Sequence, residues 1–280
     1  MDVIRAAQEM QKQSETWRTE GKTVGFVPTM GFLHEGHLSL IRLAKTFADR
    51  VVVSLFVNPT QFGPAEDFNA YPRDEEGDLK KISEEKADAA FVPPASEMYP
   101  EGFQTVVQLK EITRGLCGAS RPGHFDAVAT VVLKLFHLVQ PHVAVFGEKD
   151  YQQLAVIRRM VKDLNLPIKI VGGATVRSPE GLALSSRNAY LKDEEARRAL
   201  KLSQAIRTVQ GLFHGGETKS VRLKAEAGKI LSDPMIVVEY VEIVDAETLK
   251  TSENVDRPAR LLIAVKIGKT RLIDNGPVQT

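Results

Sequence analysis

Short apolar runs rich in β-branched residues alternate with amphipathic stretches through the first 172 residues of the chain. Runs of this length are typical of buried β-strands, and the stretches between them are typical of helices that cover a sheet. Because strands joined by helical crossovers run parallel, the pattern predicts an α/β fold with a doubly wound parallel sheet and helices on both faces. The predicted strands are residues 23–27, 51–57, 89–92, 143–146 and 168–171.

The pattern changes after about residue 175. Two amphipathic stretches separated by Gly215-Gly216 predict two helices, and Gly268-Lys269 between two apolar runs predicts a hairpin turn. The chain is therefore expected to form two domains, residues 1–175 and a smaller α+β domain of residues 176–280 with a small antiparallel sheet. The helices are predicted at 193–213 and 217–231, and the strands at 236–244, 261–267 and 271–273.

The composition is that of an ordinary globular protein, with 43% hydrophobic and 26% charged residues among 280. The formal net charge of +1 makes a nucleic-acid backbone or an anionic membrane an unfavourable partner. Cys117 is the only cysteine, so no intrachain disulfide can form and a reducing compartment is the simplest location. The N-terminal residues do not resemble a signal peptide, and no apolar run approaches the roughly 18 residues of a membrane span. A cytoplasmic protein is expected.

The first candidate for chemistry is the loop after the first predicted strand, residues 28–37 (PTMGFLHEGH). A helix is predicted from about Gly36, so unpaired backbone N–H groups and the positive end of a helix dipole face the loop, which suits a phosphate. His34 and His37 lie three residues apart and could both donate to phosphate oxygens. A zinc site of the protease type is disfavoured, because that pattern requires histidines four residues apart. Helix capping with side-chain packing stays open as an alternative.

A second donor cluster, residues 146–153 (FGEKDYQQ), also follows a predicted strand. Gly147 allows a ligand close to the backbone, and Lys149 is a mobile positive charge for phosphate. Asp150 could bind a ribose hydroxyl, coordinate Mg²⁺ or cap the following helix, and capping is the better single interpretation.

The third cluster, residues 184–188 (LSSRN), lies where the two predicted domains meet. Ser185, Ser186 and Arg187 form a donor set for a polyphosphate, and the location would let the second domain close over a substrate. Parallel sheets bind ligands beyond the carboxyl ends of their strands, so three donor clusters at or after strand ends are a stronger signal together than separately.

Side chains suited to a carboxylate-containing substrate lie in other segments. Gln61 and Gln153 could orient its hydroxyl and carboxylate groups, and Arg121 could bind a carboxylate through both arms of its guanidinium. His124 is interpreted as a helix cap or a packed side chain. The sequence has no Walker A loop, no G-x-G-x-x-G after a strand and no G-x-S-x-G, so the usual signals of P-loop, nicotinamide-binding and serine-hydrolase sites are missing.

Together these motifs resemble the pantoate–beta-alanine ligase family of the nucleotidylyltransferase superfamily, in the right order along essentially the whole chain. The combination is more specific than the His-x-Gly-His signature that many nucleotidylyltransferases and class I aminoacyl-tRNA synthetases share. The matching segments are 28–31, 34–37, 56–63, 67–72, 121–125, 146–151 and 184–187.

The resemblance implies a Rossmann-like domain that binds ATP and pantoate, followed by a C-terminal lid domain. It implies condensation of (R)-pantoate with beta-alanine through a pantoyl adenylate, with release of pyrophosphate and then AMP. It assigns catalysis to His34, His37, Lys149 and Arg187, with His37 as proton donor. It assigns ATP contacts to Met30, His34, Gly36, His37, Gly147, Lys149, Asp150, Val176, Ser185, Ser186 and Arg187, and pantoate or beta-alanine contacts to Gln61, Gln153 and Arg121.

The resemblance also implies Mg²⁺ bound through the β- and γ-phosphates of ATP, with no protein residue named as its ligand, and a homodimer. All other expected partners are small molecules. Two rival functions stay open: a nucleotidylyltransferase that stops after forming a nucleotide conjugate, and a nucleotide-binding regulatory protein on the same fold. A requirement for beta-alanine excludes the first, and turnover excludes the second.

Overall fold

The computed structural model describes residues 1–64 and 66–278, which fall into two compact units. The N-terminal unit comprises Met1–Glu148 and Val156–Ala174, and the C-terminal unit comprises Lys149–Ala155 and the chain from Thr175 onward. No helix of the described residues has both the length and the apolar character needed to cross a bilayer.

The N-terminal unit alternates strands with helices, as the hydrophobic pattern predicts. Its apolar strand residues, among them Phe26, Val52 and Val145, are fully buried. The last helix of the series begins in the C-terminal unit and ends in the N-terminal unit. The elements are β1 (Asp2–Ile4), α1 (Ala7–Thr19), β2 (Val24–Thr29), α2 (Glu35–Lys45), β3 (Arg50–Leu55), α3 (Glu75–Glu84), β4 (Ala89–Phe91), α4 (Ala95–Met98), α5 (Cys117–Ser120), α6 (His124–Val139), β5 (Val143–Gly147), α7 (Tyr151–Asp163) and β6 (Lys169–Gly173).

Six strands of the described residues form one parallel sheet in the order β1-β4-β3-β2-β5-β6. The prediction of a doubly wound α/β fold is therefore confirmed. The edge strand β1 was not predicted, because its three residues are too few to show a pattern. From β2 the chain builds the sheet outward through β3 and β4, and then returns to the other side of β2 with β5 and β6. The switch point of the sheet, where ligands bind in this class of fold, is therefore between β2 and β5.

The two strands at the switch point separate before they end. Only Gly25 and Phe26 of β2 pair with Val143 and Ala144 of β5, although both strands continue for three more residues. The cause is Pro28, which has no N–H to donate. Alternate residues of a strand face opposite neighbours, and the carbonyl oxygen of Val24 accepts from the N–H of His142 on the β5 side, so the missing donor of Pro28 also faces β5. Backbone pairing is therefore lost toward the carboxyl ends of β2 and β5, at the switch point where this class of fold has its ligand-binding crevice.

The C-terminal unit packs two helices against one face of a small antiparallel sheet, ordered β7-β8-β9 in the described residues. The hairpin turn predicted at Gly268-Lys269 joins β8 to β9. Strand β9 is longer than the predicted 271–273, because the polar residues Asp274 and Asn275 continue it into the interior, at 3% and 4% exposure. The elements are α8 (Asp193–His214), α9 (Ser220–Leu231), β7 (Ile236–Asp245), β8 (Ala259–Ile267) and β9 (Thr270–Pro277).

Substitution of Gly25 by alanine is expected to destabilise the N-terminal unit. A Cβ at this position would lie 2.9 Å from Ala48 Cβ and 3.5 Å from the carbonyl oxygen of Ala44, neither of which can rotate away. Overpacking of this kind costs about 1–3 kcal/mol. The matched control is Gly228→Ala in α9, where no heavy atom lies within 4 Å of the new Cβ and the gain in helix propensity is about 1 kcal/mol. Thermal unfolding followed by circular dichroism should show a lower midpoint for the first variant and an unchanged or higher one for the second.

Candidate active site

The loop between β2 and α2 is held by a buried carboxylate. Gly31 and Phe32 have φ angles of 83° and 51°, so the chain turns sharply after Met30. The backbone N–H groups of Phe32 and Leu33 then donate to the two oxygens of Asp78, at 2.6 and 2.7 Å. Asp78 is on α3 and is 1% exposed. The carboxylate therefore fixes the turn that leads into the two histidines.

Asp78 was not among the predicted site residues. Burial raises the pKa of its carboxyl group, and the two backbone donors and the Lys81 ammonium at 3.8 Å oppose that rise. Lys81 also donates to the carbonyl oxygen of Leu33 at 2.9 Å, so both residues bind the same turn. In the sequence, Asp78 stands among charged residues of a helix that looks exposed, and no local signal indicates that it points inward.

The two histidines at the start of α2 are oriented by the backbone. Nδ1 of His34 accepts from the N–H of Gly36 at 3.1 Å, and Nδ1 of His37 accepts from the N–H of His34 at 3.3 Å. A ring nitrogen that accepts a hydrogen bond carries no proton, so in each neutral ring the proton is on Nε2. The ring centroids are 4.1 Å apart. Capping, which the sequence left open as a role, is thus present at His34, and it leaves Nε2–H as the donor of each ring.

Gln61 lies in a short 3₁₀ turn after β3 and is tied to the β2–α2 loop. Its Nε2 donates to the sulfur of Met30 at 2.8 Å, and its Oε1 accepts from Nδ2 of Asn58 at 3.2 Å. Asn58 is 1% exposed and also accepts hydrogen bonds from Thr60 and from the hydroxyl of Tyr99. Two predicted site residues, Met30 and Gln61, are therefore in contact, and the buried Asn58 sets the orientation of the Gln61 carboxamide.

Arg121 already has a carboxylate partner within the N-terminal unit. Its guanidinium donates to both oxygens of Glu66, at 2.7 and 2.5 Å, and to the backbone carbonyl of Gln61 at 3.3 Å. Burial raises the pKa of Glu66, but the hydrogen bonds and charge of Arg121 outweigh this and hold the pKa below its usual value. Arg121 also donates to Nε2 of His124, so the proton of His124 is on Nδ1, which donates to the Gln61 carbonyl at 2.9 Å. His124 is therefore a packed, hydrogen-bonded residue, as interpreted from the sequence.

In the C-terminal unit, Lys149 lies in the single 3₁₀ turn that precedes α7. Its Nζ is 3.8 Å from Oδ1 of Asp150, whose side chain is 48% exposed. Gln153 is half-buried in the first turn of α7. Asn275 of β9 donates to the carbonyl oxygen of Lys149 at 2.8 Å. Lys149 and Asp150 are thus neighbours in space as well as in sequence, and β9 holds the backbone of the lysine.

The Ser185–Arg187 segment follows a short hairpin of the C-terminal unit. The N–H of Leu184 donates to the carbonyl of Val176 at 2.9 Å and closes the hairpin base. Ser185 then caps a 3₁₀ helix, Ser186–Tyr190: its hydroxyl accepts from the N–H of Arg187, and its own N–H donates to Asn188. The structure therefore places Val176 directly beside the start of the predicted phosphate-binding segment.

Comparisons with known proteins agree on one family. The model of the family described as pantoate-beta-alanine ligase matches residues 2–277. A pantothenate synthetase of Thermosipho africanus is 52% identical over 98% of this chain and 99% of its own length, and one of Geobacter sulfurreducens is 52% identical over 98% of each. The crystal structure of pantothenate synthetase from Thermus thermophilus superposes with a TM-score of 0.95 at 44% identity, covering both chains fully. A pantoate-beta-alanine ligase from Francisella tularensis, complexed with beta-gamma ATP and beta-alanine, gives a TM-score of 0.82 at 34% identity, covering 100% of this chain and 98% of that one.

The substitution Asp78→Asn is expected to loosen the β2–α2 loop. An asparagine can accept a hydrogen bond from only one of the two backbone N–H groups and turns its own NH₂ toward the other. The second N–H is then a buried donor without an acceptor, which costs about 1–3 kcal/mol. Hydrogen exchange should therefore become faster at the amides of Phe32 and Leu33. The matched control is Asp74→Asn, at the N-cap of the same helix, where asparagine caps as well as aspartate. Unchanged protection of both amides in Asp78→Asn would show that the carboxylate does not hold the loop.

Proposed function

The chain belongs to the pantoate–beta-alanine ligase family, and from this premise we propose how its residues divide the reaction. The activity is that of the family: an ATP-dependent ligase that joins pantoate to beta-alanine through an amide bond. The observation that carries this is the family match over residues 2–277. The complete set of donor residues at the loops after β2 and β5 and after the 176–184 hairpin supports it.

In the first step, we propose, a carboxylate oxygen of pantoate attacks the α-phosphorus of ATP. The bond between the α-phosphorus and the bridging oxygen breaks, and pyrophosphate leaves with the electron pair, which gives pantoyl adenylate. Such a displacement needs positioning and stabilisation of negative charge more than a protein nucleophile. The Nε2–H groups of His34 and His37 would donate to the phosphates, with His37 as proton donor, while Lys149 and Arg187 would balance the growing charge.

In the second step, the amine nitrogen of beta-alanine attacks the activated carbonyl carbon. The bond between the carbonyl carbon and the phosphate oxygen breaks, AMP leaves, and the extra proton of the amine nitrogen is released to solvent as the amide forms. The Francisella tularensis ligase, complexed with beta-gamma ATP and beta-alanine together, supports these two co-substrates. The chemistry requires no covalent bond to the protein in either step.

The remaining proposed ATP contacts are made by backbone and small side chains. The N–H of Gly36 donates to Nδ1 of His34, and the positive end of the α2 dipole favours a phosphate beside Gly36. Gly147 ends β5 at the crevice, where the lack of a side chain lets a nucleotide approach. The other proposed nucleotide contacts are Met30, Asp150, Val176, Ser185 and Ser186.

For pantoate and beta-alanine we propose Gln61, Gln153 and Arg121. Gln61 is held by Asn58 and Met30, so its carboxamide is preorganised for a hydroxyl or carboxylate. Arg121 has Glu66 as its carboxylate partner, so its contribution to substrate binding would pass through its hydrogen bond to the Gln61 carbonyl.

Mg²⁺ is proposed to enter with ATP. Among the residues of ranges 1–64 and 66–278, no group of three or more His, Cys, Asp or Glu side chains could hold a metal ion. The donor set is instead imidazole, ammonium, guanidinium and hydroxyl, which fits phosphates, and Mg²⁺ commonly binds through substrate phosphates with few carboxylates. When bound, Mg²⁺ would neutralise charge on the β- and γ-phosphates. The homodimer, the cytoplasmic location and closure of the C-terminal domain stay predictions.

The function is tested by pyrophosphate release from Mg·ATP with pantoate alone, followed by addition of beta-alanine. A burst equal to the enzyme concentration, becoming continuous only with beta-alanine, would support the two-step ligase. Continuous pyrophosphate release that does not depend on beta-alanine would indicate a nucleotidylyltransferase, or hydrolysis of the adenylate by water. No release would indicate a nucleotide-binding protein without turnover.

Lys149→Ala is expected to slow adenylate formation by about 10²-fold, as loss of one donor to a transition state typically does. Pyrophosphate release in a single turnover measures this step without the amine. Lys12→Ala on the exposed face of α1 is the control, because it removes an ammonium from the same protein without touching the site. A normal rate in Lys149→Ala would exclude the proposed role of the lysine.

Two substitutions of His37 should separate its ring nitrogens. Asparagine places its carbonyl oxygen near the position of Nδ1 and can keep the hydrogen bond from the His34 N–H, but it offers nothing at Nε2. Glutamine can reach the Nε2 position with an N–H. We therefore expect His37→Gln to retain more adenylate formation than His37→Asn, by about tenfold for one hydrogen bond to a charged group. The reverse order would show that the Nδ1 contact, not the Nε2 donor, is the important one.

A further inference from the structure

We propose that Asn275 and Asp274 on β9, with Arg177, are positioning residues for the phosphate-binding groups of the C-terminal unit. The inference rests on the proposed function, because it assumes that Lys149 and residues 185–187 act on ATP. Neither β9 residue was predicted as a site residue, and neither is proposed to touch substrate.

Asn275 holds the backbone of Lys149. Its Nδ2 donates to the Lys149 carbonyl at 2.8 Å, and the asparagine itself is 4% exposed. Lys149 lies in a single 3₁₀ turn of three residues, and one turn of this kind has little stability of its own. This hydrogen bond from a strand therefore gives the Lys149 carbonyl, and with it the backbone from which the lysine side chain extends, a fixed position.

Asp274 holds the hairpin that leads to Ser185. Its two oxygens accept from the two arms of Arg177, at 2.6 and 2.8 Å, and Asp274 is 3% exposed. Arg177 is on the first arm of the 176–184 hairpin and also donates to the carbonyl of Gly181 at 3.2 Å. The same guanidinium thus joins the strand to the first arm and the turn of this hairpin, whose second arm continues into the Ser185–Arg187 segment.

The two contacts are one network. Oδ1 of Asp274, which accepts from Arg177, also accepts from the backbone N–H of Asn275 at 2.8 Å. A charge buried to this degree is tolerated only when it is paired and hydrogen-bonded, so the carboxylate, the guanidinium and the strand constrain one another. Strand β9 is itself paired along its length with β8, from Thr270 to Pro277. The strand β9 therefore fixes the position of two segments, the 3₁₀ turn that contains Lys149 and the 176–184 hairpin.

This arrangement fits a reaction that depends on geometry. A displacement of about 1 Å in a group that positions a reacting phosphate can cost about 10²-fold in rate. The network would act on adenylate formation, where the phosphates are handled, and have little effect on the KM for beta-alanine.

A double-mutant cycle tests whether Asn275 acts through Lys149. We expect Asn275→Ala to lower kcat/KM for ATP in pantoate-dependent pyrophosphate release by about tenfold, a smaller loss than for a displacement of about 1 Å. In a Lys149→Ala background the same substitution should change the rate less than about twofold, because residues that act as a unit are not additive. The KM for beta-alanine should stay within about twofold of the wild type, since only phosphate handling is affected.

Gln210→Ala is the matched control. Its Nε2 donates to the carbonyl of Pro277 on the same strand, also at 2.8 Å, but this hydrogen bond does not involve Lys149. It should leave kcat/KM for ATP unchanged. If Asn275→Ala does not fold, Asn275→Ser, which keeps a polar donor in the buried site, takes its place in the cycle.

The outcomes are distinguishable. An equal loss from Asn275→Ala with and without Lys149, or a loss matched by Gln210→Ala, would show a general structural role and overturn the inference. An unreduced rate in Lys149→Ala alone would overturn the proposed role of the lysine, and the inference would fall with it. A loss confined to the background that contains Lys149 would support positioning.

Discussion

The early separation of β2 from β5 is the constraint on which the N-terminal unit's site depends. Strands that stay paired to their ends leave no space for a ligand between them. Here Pro28 removes a donor on the β5 side, and pairing stops at Phe26. The crevice that results lies at the point where the chain reverses its direction across the sheet. Two parts of the proposed site lie at that edge of the sheet. They are the loop with the two histidines, which follows β2, and the glycine that ends β5.

A crevice alone does not place donors, and two buried aspartates contribute much of that placement. Asp78 in the N-terminal unit and Asp274 in the C-terminal unit are 1% and 3% exposed. Each accepts from the backbone and is paired with a cation, Lys81 or Arg177. Burying a carboxylate is costly unless it is paired with a cation and accepts hydrogen bonds. Each aspartate therefore holds the backbone groups that donate to it in one arrangement. The donors proposed for ATP are, in both units, close along the chain to the segments that these carboxylates hold.

The sequence predicted the architecture well, because strands and loops are indicated by residues that are adjacent along the chain. A buried strand shows itself by consecutive β-branched residues, and the loop of residues 28–37 shows itself by glycine and histidine placed between a strand and a helix. The strand β9 was predicted too short, because Asp274 and Asn275 are polar and buried polar residues look like a turn. Asp78 and the pairing of Arg121 with Glu66 could not be predicted, because both depend on contacts between residues about 45 or 55 positions apart. Spacing along the chain does not carry that information.

The difference between local signals and long-range contacts also explains why the sequence identifies the phosphate-binding donors but not the residues that orient them. Donor groups for phosphate must be of a few types, and they must follow strands, so motif and position together identify them. The groups that orient those donors are under no such restriction: an aspartate, an asparagine or a backbone carbonyl serves equally, from any element that comes near. For a reaction in which the protein contributes placement and charge rather than a nucleophile, these orienting groups determine how well the donors work. The residues that matter most for rate after the donors themselves are therefore the ones that sequence motifs are least able to identify.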